Sequence, residues 1–138
     1  CQRFSFQIAL AGSPCKVFSG DVKVAVNGTA HWFYPDVLVT CRAGNLRDMS
    51  AVAVSEPTLI LEVLSPSTAA HDRGQKFIRL QKLSALKEYA LLDTEAPRLE
   101  VFRCNAAERF ELFLFEGADC EAELANIGWR GPVASLLD

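Results

Sequence analysis

The feature that most constrains this sequence is the apolar run TLILEVL, residues 58–64, which carries one carboxylate at Glu62. A strand that is apolar on both faces is typical of a central position covered on both sides. An unsatisfied carboxylate there would cost many kcal/mol, so Glu62 needs a partner or an exposed strand end. The run therefore predicts a central strand, with either a structural ion pair or a metal or catalytic site at Glu62.

The rest of the chain alternates between short strand patterns and one helical pattern. Residues 1–10 fit either an alternating strand or a helical stripe, and both interpretations stay open. The helical stripe covers Gln75 to Leu83. The strand patterns are Cys15 to Phe18, Asp21 to Val26, Asp36 to Thr40, Thr58 to Leu64, Glu88 to Leu92, Leu99 to Cys104 and Arg109 to Phe115. This order predicts an α/β or α+β fold, a central mixed β-sheet flanked by helices.

The bulk composition is that of one soluble globular domain. The chain has 138 residues, of which 50% are hydrophobic and 22% charged, and no apolar run approaches the roughly 18 residues that span a bilayer. We therefore expect a cytoplasmic protein with no membrane partner. The net charge of −3 is unlike that of a protein that coats DNA. A nuclease tolerates it, because only one face meets the phosphates.

The cysteine pattern argues against a zinc ribbon and against a disulfide framework. The chain has five cysteines, an odd number, and no pair has C-x-x-C spacing. We therefore expect reduced thiols at Cys1, Cys15, Cys41, Cys104 and Cys120.

Asp36 strengthens the functional interpretation of Glu62. It follows Pro35 at the start of the strand DVLVT, where alternation places Asp36, Leu38 and Thr40 on one face. If this strand neighbours the strand of Glu62 in a suitable register, the two carboxylates converge and can bind a hard cation such as Mg²⁺. The alternative is that Pro-Asp is only a turn or strand-entry signal.

Four blocks of the sequence resemble a known family. GSPCKVFSGDVKV, YPDVLVTC, EPTLILEVLSPST and DRGQKFIRLQKLSALKEYALLD are similar to a large bacterial family of restriction-endonuclease-like proteins in the PD-(D/E)XK nuclease superfamily. The resemblance implies one nuclease-like domain over residues 1–138 that lacks the family's N-terminal helical part. It also implies that Asp36 and Glu62 are the motif carboxylates. The motif lysine is displaced, because Leu64 stands two residues after Glu62 and DRGQK supplies Lys76.

The implied reaction is hydrolysis of phosphodiester bonds, with DNA as the substrate. Asp36, Glu62 and the backbone carbonyl of Val63 would hold Mg²⁺, or Mn²⁺ as a substitute, while Lys76 would orient water or neutralise charge. Asp72 and Arg73 lie in the same block and have a supporting role at most. Without the resemblance, Lys76 would be a solvated cation on a basic helix face that also carries Arg73, Arg79 and Lys82.

Two functions from different classes follow. The first is a Mg²⁺-dependent endonuclease that acts as a homodimer, since cutting both strands of a duplex needs two sites. The second is a catalytically inactive module that uses the nuclease fold to bind nucleic acid or a protein partner. The apolar strand from Arg109 to Phe115 could pair two copies, although burial in the core is the commoner use of such residues.

Overall fold

The computed structural model describes residues 15–19, 23–25, 32–33, 35–41, 53–54, 57–65 and 73–137, and its main feature is a mixed six-stranded sheet. The strands are β1 (Lys16–Ser19), β2 (Lys23–Ala25), β3 (Trp32–Phe33), β4 (Val37–Thr40), β5 (Ala53–Val54), β6 (Leu59–Val63), β7 (Glu88–Asp93), β8 (Arg98–Cys104), β9 (Phe110–Glu116), β10 (Glu121–Leu124) and β11 (Trp129–Pro132), and α1 spans Gln75–Leu80. The six-stranded sheet has the order β1-β4-β6-β7-β8-β9.

The strand of Glu62 is central, as its apolar run predicts. β6 lies between β4, to which it is antiparallel, and β7, to which it is parallel. Leu59, Ile60 and Leu61 are each at most 1% exposed. Parallel neighbours need a crossover connection, and α1 lies in the segment that joins β6 to β7. This crossover brings the helix back over the strand that precedes it.

The two faces of the sheet are covered differently. One face, with Leu38, Ile60 and Leu91, packs against Phe77 and Leu80 of α1. The opposite face packs against the β10–β11 hairpin and the 3₁₀ turns at Ala125–Ile127 and Val133–Leu136. The prediction of a mixed sheet is therefore confirmed. In the part of the chain that the structure describes, however, a helix covers only one face, and a hairpin takes the place of a helix on the other.

The helix α1 is shorter than its apolar stripe predicts. It ends at Leu80, and Leu83 is buried in the turn that follows. The alternative interpretation, in which Lys76 is a solvated cation on a basic helix face, is wrong. The side chain of Lys76 is only 13% exposed because it faces the sheet, whereas Lys82 is exposed to solvent.

The prediction that the cysteines are reduced thiols is wrong for two of them. β1 and β4 are antiparallel with Lys16 opposite Thr40, so the next residues outward, Cys15 and Cys41, face each other and form a disulfide. Spacing along the chain cannot show this pairing, because it depends on strand register. Cys104 and Cys120 are thiols.

Several sequence predictions fall outside the described residues. They concern Cys1, residues 1–10 and Asp72. Among the residues that are described, no helix is long and apolar enough to cross a bilayer.

Candidate functional site

Asp36 joins the start of β4 to the end of β6. Val37 lies opposite Leu61 in the antiparallel ladder, so Asp36, one residue earlier, lies level with Glu62. The carboxylate of Asp36 accepts a hydrogen bond from the backbone N–H of Val63 at 2.7 Å. This side-chain acceptor continues the pairing one residue before the first residue of β4. Asp36 itself is exposed to solvent, so the carboxylate is accessible from outside.

Glu62 is buried and carries an ion pair. It is 6% exposed, and its Oε1 accepts a hydrogen bond from the Nζ of Lys76 at 3.0 Å. The crossover explains the contact, because α1 lies on the same face as Ile60 and therefore as Glu62. The long lysine side chain reaches back to the strand that precedes its helix. The ion pair with Lys76 thus compensates the negative charge of a carboxylate that lies in an apolar strand.

Stability alone is a weak explanation for this pair. Removing two charges from water costs several kcal/mol per ion, and their attraction often fails to exceed that cost. Well-packed apolar residues of similar volume are commonly as stabilising. A nearly buried glutamate and lysine beside an accessible aspartate are therefore a candidate functional site.

A second ion pair, between Arg73 and Glu100, lies on the same face of the sheet. The sequence alone did not single out Glu100. Glu62 lies opposite Leu91 in β7, and Leu91 lies opposite Glu100 in β8. The Oε2 of Glu100 accepts hydrogen bonds from the Nε of Arg73 at 3.2 Å and from its Nη2 at 2.6 Å. In the sequence Glu100 is one of several charged residues in an alternating strand. Only the register across β6, β7 and β8 reveals its position.

The residues at this site suit a magnesium ion better than a softer metal. Asp36 and Glu62 provide carboxylate oxygens, which Mg²⁺ prefers, and Mg²⁺ commonly keeps several waters instead of demanding a full protein cage. In a strand the N–H and C=O of one residue point to the same edge. The carbonyl of Val63 is therefore directed toward the edge where Asp36 lies. Among the described residues, no three His, Cys, Asp or Glu side chains are grouped to hold a metal.

The structure thus brings together four of the residues that the sequence singled out. Asp36, Glu62, Val63 and Lys76 meet at one end of β6. Arg73 lies on the same face of the sheet but pairs with Glu100.

One protein family matches most of this chain. A family model described as "Uma2: Putative restriction endonuclease" matches residues 1–130. Two uncharacterized proteins of Synechocystis sp. are similar. One, sll1609, is 33% identical over 110 residues, which is 80% of this chain and 62% of that protein. The other, slr1290, is 31% identical over 119 residues, 86% of this chain and 61% of that protein. The chain therefore spans about three fifths of the length of these relatives.

A solved structure shares the fold. It is titled as the crystal structure of "a putative nuclease belonging to DUF820" from Anabaena variabilis, and it superposes with a TM-score of 0.76 at 15% identity. The match covers 98% of this chain and 75% of that one. At this identity the likeness concerns the fold alone.

Proposed function

This chain belongs to the Uma2 family, whose model is described as "Putative restriction endonuclease", and on that premise we propose that it is a metal-dependent endonuclease acting on DNA. One observation carries the proposal. Glu62, buried in the central strand, lies beside Asp36 and pairs with Lys76 at 3.0 Å. Two carboxylates and a lysine on adjoining elements form the set of groups that metal-assisted phosphodiester hydrolysis requires.

Each residue has a distinct task in this proposal. Asp36, Glu62 and the carbonyl of Val63 hold Mg²⁺, which when bound supplies positive charge that activates water and stabilises the developing phosphate charge. Asp36 is fixed by the N–H of Val63, so its carboxylate is oriented before the substrate arrives. Lys76 is directed by Glu62 into the same space. Its ammonium group neutralises charge on the phosphate or orients the attacking water.

The decisive experiment is a calorimetric titration of Mn²⁺ into the full-length protein, followed by a cleavage assay on DNA with Mg²⁺. We expect wild-type protein to bind Mn²⁺ and Glu62→Gln to lose that binding together with cleavage. Glutamine keeps the volume of the side chain and an oxygen that can accept from Lys76, so packing is preserved. Asp36→Asn likewise keeps an acceptor for the N–H of Val63, and we expect it to weaken Mn²⁺ binding.

Glu123→Gln is the matched control. Glu123 also pairs with a cation, Arg130, at 2.7 Å, but it lies in the β10–β11 hairpin, which covers the opposite face of the sheet. The control should bind Mn²⁺ and cleave as the wild type does. Undiminished Mn²⁺ binding and cleavage by Glu62→Gln would refute the proposed site.

The second candidate, an inactive module with the nuclease fold, is favoured by one specific observation. Lys76 already compensates the charge of Glu62, so the fold is satisfied without a metal. This candidate predicts that wild-type protein binds DNA or a protein partner and that neither Mn²⁺ nor Asp36→Asn changes the affinity. The titration described above separates the two candidates directly.

A homodimer is part of the leading proposal. Two strands of a duplex require two sites, and β9 is an end strand of the six-stranded sheet in the described part of the chain. Leu112 and Leu114 of β9 are 52% and 48% exposed. An end strand with exposed apolar side chains is suited to pairing with a second copy.

A further inference from the structure

Arg73 and Glu100 form an ion pair with a defined orientation. Two donors of the guanidinium, Nε and Nη2, both bind the Oε2 of Glu100, at 3.2 and 2.6 Å. The side chain of Glu100 is 13% exposed and that of Arg73 is 36% exposed. The carboxylate is thus the inner member of the pair, and the arginine is the member that solvent reaches.

The pair lies in register with the candidate metal site. Glu62, Leu91 and Glu100 are opposite one another on consecutive strands, so their side chains share the face that α1 covers. Neighbouring strands are about 4.8 Å apart, which places Glu62 and Glu100 roughly 10 Å from each other along the row. One strand of duplex DNA carries a phosphate about every 3.4 Å of helix axis. A strand with one phosphate at Glu62 therefore brings another within reach of Arg73.

The chemistry of the pair suits a phosphate contact better than a contribution to stability. An ion pair exposed to this degree contributes about 0–1 kcal/mol to folding. An arginine held at one edge of its planar guanidinium is preorganised to bind phosphate oxygens, and its charge is permanent. In a chain with a net charge of −3, a fixed cation beside the site is a means of attracting a polyanion.

We propose that Arg73 binds a second phosphate of the DNA strand that is cleaved, and that Glu100 is a positioning residue that orients the Arg73 guanidinium. The inference rests on the proposed function, because it takes DNA as the substrate. It goes further by assigning a second phosphate subsite, two strands away from the metal site, and a role for Glu100.

The test measures binding without cleavage. A fluorescein-labelled 30-base-pair duplex of random sequence is titrated with the full-length protein in EDTA, at several salt concentrations. We expect Arg73→Gln to weaken binding by about tenfold, the effect of losing one charge-assisted contact. The slope of log affinity against log salt should also fall by about 0.9, as for one lost phosphate contact. Arg73→Lys keeps the charge and should recover the slope but only part of the affinity.

Glu100→Gln separates positioning from simple charge. Removing a negative charge near DNA would by itself strengthen binding. A positioning role predicts weaker binding instead, since the guanidinium loses its fixed orientation. The matched variants Arg130→Gln and Glu123→Gln remove the same kind of pair on the opposite side of the sheet. They should leave the affinity and the salt slope at wild-type values, and thermal unfolding checks that every variant folds.

The proposal fails if Arg73→Gln keeps the wild-type salt slope, or if Glu100→Gln binds DNA more tightly than the wild type. Wild-type protein that shows no affinity for the duplex also rejects the subsite. These outcomes are distinct from failure of the proposed function, which the Mn²⁺ titration of wild type and Glu62→Gln decides without any DNA.

Discussion

Lys76 competes with a divalent cation for the same carboxylate. Its Nζ lies 3.0 Å from the Oε1 of Glu62, so a metal bound to Glu62 would meet an ammonium group at short range. We predict that Lys76→Met binds Mn²⁺ more tightly than the wild type at pH 8, because a repelling charge is removed. The same variant should lose DNA cleavage, since the phosphate loses its neutralising group. Calorimetry and a cleavage assay measure the two effects separately.

The control for this prediction is Lys82→Met, which removes an exposed lysine from the turn after α1. It should leave both the Mn²⁺ affinity and the cleavage rate unchanged. Weaker Mn²⁺ binding in Lys76→Met than in the wild type would contradict the competition.

Glu88 shows what a purely structural buried pair looks like in this fold. It is 0% exposed, and its two oxygens accept from Arg103 Nε at 3.1 Å and from the backbone N–H of Asn126 at 2.7 Å. Arg103 also donates to the carbonyl of Glu123 at 3.0 Å and lies 4.3 Å from the ring centre of Phe113. These contacts fasten the C-terminal hairpin region to the sheet.

We predict that Glu88→Ala lowers the free energy of unfolding by about 3 kcal/mol, because it leaves the guanidinium of Arg103 without its main partner. Urea unfolding of the two proteins measures the difference. Glu123→Ala, which removes an exposed carboxylate, serves as the comparison and should change the midpoint little. An unchanged midpoint for Glu88→Ala would show that the network does not stabilise the fold.

The sequence predicts the central residues of the candidate site better than the residues around them. Glu62 is conspicuous because a charge in an apolar strand demands a partner, and Asp36 and Lys76 follow from the motif blocks that contain them. Glu100 has no such signal, since charged residues alternate with apolar ones in many half-exposed strands. The Cys15–Cys41 disulfide is likewise a consequence of register between β1 and β4, which the order of residues does not specify.

The elements with a strong pattern are those that the sequence predicts. β4, β6, β7, β8 and β9 coincide with predicted strands to within a residue or two, because their alternation or continuous apolarity reflects the faces they bury. The β10–β11 hairpin was not predicted. Its strands have four residues each, and their buried members, Ala122, Leu124 and Trp129, are too few to give a period.

The same hairpin provides a test that depends on pH. The hydrogen bond from Arg130, together with the charge of that guanidinium, lowers the pKa of the Glu123 carboxyl below its ordinary value of 4.5. A carboxyl whose pKa is lower in the folded state stabilises the fold above its unfolded pKa and loses that effect as the pH falls through the lowered pKa. The side chains of Arg130 and Glu123 are 65% and 41% exposed to solvent, so the contribution of the pair at neutral pH is small.

We therefore predict that the difference in urea midpoint between the wild type and Glu123→Gln is small at pH 7 and disappears as the pH falls through the lowered pKa of Glu123. Urea titrations at several pH values give the measurement. Arg130→Gln should show the same pH dependence, because it removes the other half of the pair. A difference that grows as the pH falls would contradict the assigned direction of the pKa shift.

In the described part of the chain, the six-stranded sheet ends in an apolar strand, β9. The sequence allowed two uses for the strand at residues 109–115, pairing and burial, and the structure divides the apolar side chains of β9 between buried and exposed positions. Phe113 and Phe115 pack against the core, whereas Leu112 and Leu114 are exposed. If these leucines hold two copies together, Leu112→Glu should convert a dimer into a monomer in sedimentation experiments. Wild-type protein that sediments as a monomer at all concentrations would reject the homodimer.

The contacts at the candidate site join segments that are far apart in the sequence. Asp36 and Val63 are 27 residues apart in sequence, as are Arg73 and Glu100. Contacts of this separation close late in folding, because the entropy of loop closure must be overcome before they form. A chain still being synthesised therefore cannot form the Arg73–Glu100 pair until β8 has emerged, because Glu100 lies in that strand. The two ion pairs on this face are thus completed only when most of the six-stranded sheet is in place.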